Sequence, residues 1–347
     1  MMMRWCKRVP LCAVPLLAIF ALTPGLAHAQ SRVVLVVSGS SLPEPLYLKW
    51  HDEFHKQNDG VMLRYLPLGT ETGAENALSG SGDFGGGDAP IPEKELAAAK
   101  TPVLELPTVL IGIVIVYNVP GTTENIRLSG TVLANIYLGK VTSWNDAEIA
   151  KLNPGVNLPA LPIQVLHRTE GKGSNYIFSE YLAKMSPEFL AKAGHGVSPK
   201  WPVGKAFNLT RDLLAAVKST PGSISYTELN WAFTSGLHMA SLRNAAGEFV
   251  HPSDRTLAAA ATSAESKMGQ NFRVSLVNAP GPESYPITSF TWLYVPAKHK
   301  DATRGRAINQ YLAWVYTAGQ EVAKQQGYAT LPPTILQKVK AKAATVN

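Results

Sequence analysis

The stretch VLHRTEGKGSNY places Arg168, Glu170, Lys172, Gly173 and Ser174 between a short apolar run and a helix-like segment. A guanidinium can grip an oxyanion with two parallel N–H groups. Glycine lets the backbone approach a ligand closely. The first amides of a helix lack acceptors within it, and with the helix dipole they form an anion site. Glu170 would then hold Arg168 in place and offset part of its charge. An ordinary turn with a surface ion pair would use the same residues, and such a pair adds little stability. Two further turns favour the anion. Gly39-Ser40-Ser41-Leu42-Pro43 and Gly69-Thr70-Glu71-Thr72-Gly73 each end a strand-like run and open a helix-like one. Each supplies hydroxyls and free amides where open α/β sheets bind ligands.

Asp88 sharpens the chemistry. It follows three glycines in DFGGGDAP, which would let its backbone lie close to a ligand. An ionised carboxylate only accepts hydrogen bonds. It therefore suits a protonated oxyanion such as HPO₄²⁻ and repels fully ionised sulfate. A site built around one such bond can reject the analogue lacking it by a factor on the order of 10⁴. Asp88 capping its own loop is the plainer reading. The DFG tripeptide stands without the other kinase motifs. His51 and His55 lie one helical turn apart with acids between them, but no third zinc ligand is evident and the motif's Glu is replaced by Asp52. Trp50 and Phe54 mark the apolar face, so both histidines are expected to be partly exposed. His167 fits a packed strand residue, and no G-x-S-x-G elbow is present.

The elements that would position these residues alternate, as in an α/β fold with largely parallel sheets. Val33–Val37 is a continuous apolar run, expected of a strand buried on both faces. Val61–Leu66, Asp83–Asp88, Ile163–Leu166, Ile224–Tyr226 and Phe290–Val295 read as further strands. Helices are expected around Leu46–Phe54, Thr72–Leu78, Leu133–Leu138, Ala147–Leu152, Tyr176–Lys184 and Ala307–Gln326, with a last one opening at Pro332-Pro333. No flexible linker divides the chain. Two lobes joined by crossing strands would satisfy this, with Leu104–Val119 and Pro286–Val295 as the crossings.

The chain has 347 residues and a formal net charge of +7. Its start carries Arg4, Lys7 and Arg8, then the apolar run Leu11–Leu22, then Ala27-His28-Ala29. This is the pattern of a cleavable secretory signal. Cleavage after Ala29 would leave 29 basic against 25 acidic residues, or +4. So mild a balance requires neither nucleic acid nor an anionic membrane. The two cysteines, Cys6 and Cys12, fall in the signal, which excludes disulfides, thiol catalysis and cysteine zinc sites from the mature chain. Leu104–Val119 is the longest later apolar run, but Glu105, Pro107 and Gly112 interrupt it.

These motifs together resemble the periplasmic phosphate-binding protein (PstS) family of bacterial phosphate ABC transporters. GSSLPEPLYLKW at Gly39–Trp50 resembles the family's G-A-T-F-P-x-P-x-Y-x-K-W, and DFGGGDAP at Asp83–Pro90 its D-F-G-A-S-D-A-P. LPTVLIGIVIVYNVPG, IYLGKVTSWNDAEIAKLNPG, KWPVG, PGSISY, YPITSFTWL and YATLP are likewise close to family wording. The resemblance implies a two-lobed type II periplasmic binding protein, each lobe a mostly parallel sheet with flanking helices and the ligand in the cleft between them. It implies a signal at 1–29, one lobe of 30–107 plus 287–347, and a second of 108–286. It implies binding without catalysis or cofactor. Ser41 replaces the family's threonine, Leu42 the phenylalanine that donates its amide, and Thr70 a serine. Asp88 and Arg168 match the acceptor aspartate and the arginine. Glu170 replaces the aspartate that steadies that arginine, Gly173 is retained, and Ser174 replaces threonine. Lys172 stands where the family has serine, and Glu71 adds a negative charge to a loop that is usually G-S-S-G-G. After KWPVG the family's glycine-rich G-x-G-G-K-G-N-D-G gives way to KAFNLTRD.

The expectation is a soluble, monomeric periplasmic protein that captures inorganic phosphate and delivers it to an inner-membrane ABC permease with its ATPase. It binds no nucleic acid and inserts into no membrane. The alternatives are another oxyanion or a phosphate ester, accommodated through Lys172 and Glu71. A secreted phosphatase or a receptor role without import are further alternatives.

Overall fold

The computed structural model describes residues 1–3, 32–122 and 125–347. Apart from its first three residues, the expected export signal lies outside the described residues. The chain first lays down β1 (Val33–Ser38), α1 (Glu44–Gln57), β2 (Val61–Leu66), α2 (Thr70–Ser79), β3 (Phe84–Gly87), α3 (Glu93–Ala98) and β4 (Val103–Tyr117). It continues through β5 (Arg127–Leu128), α4 (Gly130–Tyr137), α5 (Ala147–Leu152), β6 (Gln164–Arg168), α6 (Gly173–Met185) and α7 (Pro187–Ala193). Then come β7 (Lys205–Phe207), α8 (Thr210–Ser219), β8 (Ser223–Glu228), α9 (Leu229–Ser235), β9 (His238–Met239), β10 (Ser241–Arg243), β11 (Phe249–Val250) and α10 (Asp254–Ala264). The last elements are β12 (Thr288–Pro296), α11 (Ala302–Val315), α12 (Ala318–Gln325) and α13 (Pro333–Ala343). Among the described residues no helix is long and apolar enough to cross a membrane.

The strands run β2-β1-β3-β12-β4-β8-β6-β7 in order, with β9 also on β4. β1 is parallel to β2 and β3. β6 is parallel to β7 and β8. These are the two lobes of a periplasmic-binding-protein fold, and β4 belongs to both. Its first part, Val103–Gly112, pairs with β12, and its second part, Ile113–Tyr117, pairs with β8. The strand is buried from Glu105 to Tyr117, which explains its unbroken apolar character. The β4–β12 register shifts between Thr291 and Trp292, opposite Pro107 and Thr108. Proline has no N–H for the ladder, so an irregularity belongs there.

Local chemistry explains the elements that hold the site. α1 buries Leu46, Tyr47, Trp50 and Phe54 on one face, and Pro45 occupies its first turn, where a missing N–H costs nothing. At two of the three glycines of β3 the neighbours leave no room for a side chain. A Cβ on Gly85 would overlap the Gly73 carbonyl of α2, and one on Gly87 the ring of Tyr294. The glycines before Asp88 thus serve close packing of the chain against itself, where the sequence suggests approach to a ligand. The expected single helix over Ala307–Gln326 is two. Thr317 leaves helical geometry at φ −126°, ψ −98°. Its hydroxyl donates back to the Ala313 carbonyl at 2.7 Å, and the poor helix former Gly319 follows.

A strap ties the lobes together beside the cleft. Arg273 Nε donates to Glu105 Oε2 at 2.5 Å, and its Nη2 donates to the Ile91 carbonyl. The Ile91 N–H donates to Glu105 Oε1 at 2.7 Å. Two residues further on, Ser275 donates to Glu180 of α6 at 2.6 Å and accepts from Lys184 at 2.8 Å. The strap thereby joins α6 to the loop that follows β3. Arg273→Ala leaves the Glu105 carboxylate buried without its cation. Urea denaturation should show a loss of about 3 kcal/mol. A loss below about 1 kcal/mol would mean that the pair is no more than a surface contact.

Candidate functional site

The loops at the carboxyl ends of β1, β2, β3 and β6 meet at one point. Asp88 directly follows β3 and is fully buried. Its N–H donates to the Thr70 hydroxyl at 3.2 Å, at the first residue of α2. Gly173, the first residue of α6, faces both from the other lobe: a Cβ there would overlap the Asp88 carboxylate and the Thr70 hydroxyl. Gly69 likewise lies against Gly171 and Lys172. Asp88, Thr70, Gly173 and Ser174, distant in sequence, are thus brought together. The Glu71 carboxylate lies against Gly171, on the same rim.

Polar atoms here are left without partners among the described residues. Asp88 Oδ2 accepts from the Ser40 hydroxyl, but Asp88 Oδ1 and Ser174 Oγ are buried with no hydrogen-bond partner. Buried polar atoms in native proteins are almost always bonded, so each calls for an explanation. The first two amides of α6, those of Gly173 and Ser174, also lack acceptors within the helix. Burial pushes the Asp88 carboxyl up from 3.8 to about 6, while the nearby hydroxyls of Ser40, Thr291 and Thr70 pull it down.

Arg168, the last residue of β6, is only 3% exposed. Its Nη1 donates to the Thr210 hydroxyl and its Nη2 to the Asn208 carbonyl, both at 2.6 Å, and its Nε to the Phe207 carbonyl at 3.3 Å. Guanidinium has five N–H groups, so two remain for a ligand. None of these bonds goes to Glu170, which is exposed. The expected steadying role of Glu170 is therefore corrected. β7 runs parallel beside β6 with Arg168 opposite Phe207, so the guanidinium turns to the loop after β7. All its acceptors are neutral, and among the described residues it is a buried cation without a carboxylate partner. Lys172 is half-buried and also lacks an ion pair among the described residues. Burial, and then the charge of Arg168, pull its ammonium below the usual lysine range.

Ser41 is half-buried at the mouth of the cleft. The Leu42 amide, implied by the resemblance to be a ligand donor, instead donates to Ser40 Oγ at 3.1 Å, so Ser40 links that turn to Asp88. Sequence reasoning passed over Ser40, although it stands in the same turn. It also missed the frame under Arg168. Tyr226 donates to Asn175 Oδ1 at 2.5 Å and accepts from the Arg168 N–H at 3.2 Å, while Asn175 Nδ2 holds the Thr169 carbonyl at 2.7 Å. Asn208 and Thr210 lie in KAFNLTRD, so the departure from family wording marks the partners of Arg168. Glu228 ends β8 and is 2% exposed. It caps α9 by accepting from the Asn230 N–H at 2.9 Å, and burial pushes its carboxyl up to about 8.

Of the two helix histidines, His55 is partly exposed as expected and His51 is not. His51 is buried, not partly exposed, with its ring 5.6 Å from that of Tyr311 and 6.0 Å from that of Tyr65. Burial lowers its pKa to about 3. His55 Nδ1 bonds the Val61 carbonyl at 2.9 Å. The two imidazoles serve different parts of the fold. His167 packs near Trp201, at 5.5 Å between rings, as expected of a strand residue.

Residues 26–318 match the model of the PBP superfamily domain. The phosphate-binding protein PstS of Pasteurella multocida is 36% identical over 339 residues, covering 97% of this chain and 95% of its own length. The chain belongs to the PstS phosphate-binding family. PstS of Xylella fastidiosa agrees, at 33% identity over 92% of this chain and 87% of its own. The family fold extends to the solved phosphate-binding protein of Stenotrophomonas maltophilia, with a TM-score of 0.67 at 19% identity, covering 89% of this chain and 93% of that one.

Holding Asp88 ionised out of water destabilises the fold. Its raised carboxyl pKa means that stability is fully present below 3.8 and is lost as pH rises through about 6. Asp88→Asn should therefore make the ligand-free protein more stable at neutral pH, by roughly 1–3 kcal/mol. The gain should vanish near pH 4, about the ordinary aspartate pKa. Denaturant unfolding at both pH values checks this, and a destabilised variant at neutral pH would refute it.

Proposed function

We propose that this chain is an exported binding protein that captures inorganic phosphate between its lobes and delivers it to an ABC-type importer. Family membership supports the transport role. The observation that carries the ligand is the unmatched set of partners in the cleft: a buried guanidinium without a carboxylate, a free Ser174 hydroxyl, and a free acceptor on Asp88. A tetrahedral anion that carries a proton completes all three. It accepts from Arg168, Ser174 and the α6 amides, and donates to Asp88 Oδ1. Sulfate has no proton to give and would set its charge against the carboxylate. Ser41, Thr70 and Leu42 border the same cleft. Ser40 holds Asp88 so that its second oxygen faces the ligand. The pairing of β4 with β12 and then β8 supports a lobe division at 30–107 plus 287–347 against 108–286, with closure about the crossing strands. We read the protein as a periplasmic monomer whose partners are phosphate, the permease and its ATPase. Its chemistry is binding, without a catalytic step.

Calorimetric titration tests this reading. Wild type should bind phosphate and reject sulfate by a factor on the order of 10³ or more. Asp88→Asn should lose most of that discrimination, while Lys172→Ser should keep it. Equal affinity of wild type for the two anions would overturn the proposal. Gly173→Ala places a methyl group against Asp88 and Thr70. Phosphate affinity should fall at least tenfold with little change in stability, and unchanged affinity would show that the lobes need not meet at Gly173.

A further inference from the structure

Beside Arg168 the cleft opens into a pocket of about 380 Å³, lined by residues of both lobes. That is roughly a dozen times the ~30 Å³ share of one water, so a five-atom anion fills only part of it. Ser41 and Glu44 reach it from the first lobe, and Lys172, Thr210, Arg211 and Trp231 from the second. The pocket adjoins the phosphate cleft directly, because Thr210 is the residue that accepts from Arg168 Nη1.

Its donors exceed its acceptors. Lys172 has no ion pair among the described residues. Arg211 is exposed, and it meets the likewise exposed Asp212 at 3.8 Å, a contact of little strength. The indole N–H of Trp231 is buried and has no hydrogen-bond partner. Trp231 is a residue of the lining, and a buried donor without a partner calls for an explanation. Glu44 is the one acid in the lining. Burial raises its carboxyl pKa, and the charge of Arg211 acts in the opposite sense. Glu44 thus offsets part of the charge of Arg211 and leaves Lys172 and Trp231 unanswered.

We propose that this pocket is a second anion subsite, and that the cleft accepts small phosphate compounds carrying a second oxyanion group, such as inorganic diphosphate. The proposal rests on the phosphate reading of the inner site. The inner phosphoryl group takes the Arg168, Gly173 and Ser174 donors. The outer group lies between Lys172 and Arg211, with Trp231 N–H and the Ser41 and Thr210 hydroxyls around it. The lysine that replaces the family's serine then has a use: it brings a second cation to the wall of the outer pocket.

Calorimetry with orthophosphate and with orthophosphate-free diphosphate, on wild type, Arg211→Ala and Trp231→Phe, tests it. Wild type should bind both ligands. Arg211→Ala should leave orthophosphate affinity within about twofold and weaken diphosphate at least tenfold. Trp231→Phe, which keeps the ring and removes the N–H, should weaken diphosphate alone by about fivefold. Tight orthophosphate binding with no diphosphate binding would overturn the subsite and leave the phosphate reading standing. Equal weakening of both ligands by Arg211→Ala would also overturn it, since Arg211 would then act only through the overall field. If wild type bound neither ligand, the phosphate reading would fall and the subsite with it.

Discussion

One cleft holds a carboxylate and a guanidinium out of water without pairing them to each other. Burying a charge is costly unless something answers it. Arg168 is answered only by two carbonyls and a hydroxyl, and Asp88 by one serine and a free oxygen. Direct neutralisation of the two would stabilise the apoprotein and abolish the site. The fold keeps them apart, and the remaining attraction is left for a ligand that satisfies both. Such a ligand must be an anion toward Arg168 and a donor toward Asp88, which is a narrow chemical description.

The rest of the structure can be seen as support for that separation. β4 runs through both lobes, so the loops after β3 and β6 approach each other across the cleft in one register. The strap at Arg273 and Ser275 fixes the loop beyond Asp88 at one end and α6 at the other. Tyr226 and Asn175 hold the turn that carries Arg168. Gly173 has no side chain because the opposing wall is already there. Most of these contacts connect positions far apart in sequence, and those of Tyr226 with Asn175 and Arg168 are buried, so water does not weaken them.

Lys172 alters the balance of this cleft relative to the family pattern. A serine would add a neutral donor to the inner cage. A half-buried ammonium next to Arg168 instead adds a second positive charge that has no ion pair among the described residues, and burial and Arg168 both oppose that charge. Placing it at the wall of an open pocket lets solvent or a ligand group reduce the strain, which an enclosed cage would not.

Much of the local structure was legible in the sequence because it depends on neighbours within a few residues. The apolar runs became β1, β2, β4, β6 and β12, the periodic segments became helices, and the turns with glycine and hydroxyl residues came out at strand ends. Asp88, Arg168, Gly173 and Ser174 could be singled out because their chemistry is unusual for ordinary turns. Partners were not legible. Glu170 stands two residues from Arg168, yet β7 alongside β6 drew the guanidinium to Asn208 and Thr210. His51 sits on a helix whose apolar face looked complete with Trp50 and Phe54, yet the packing of α11 closed over it with Tyr311. The three glycines of β3 looked like a ligand surface, yet helix α2 occupies the space beside Gly85 and Tyr294 the space beside Gly87. Sequence by itself determined which residues could carry charge, hydrogen bonds and strand or helix geometry, since these follow from side-chain chemistry and short-range sterics. Only the tertiary structure decided which charges are answered and which are left open, because burial and pairing depend on atoms brought from distant parts of the chain.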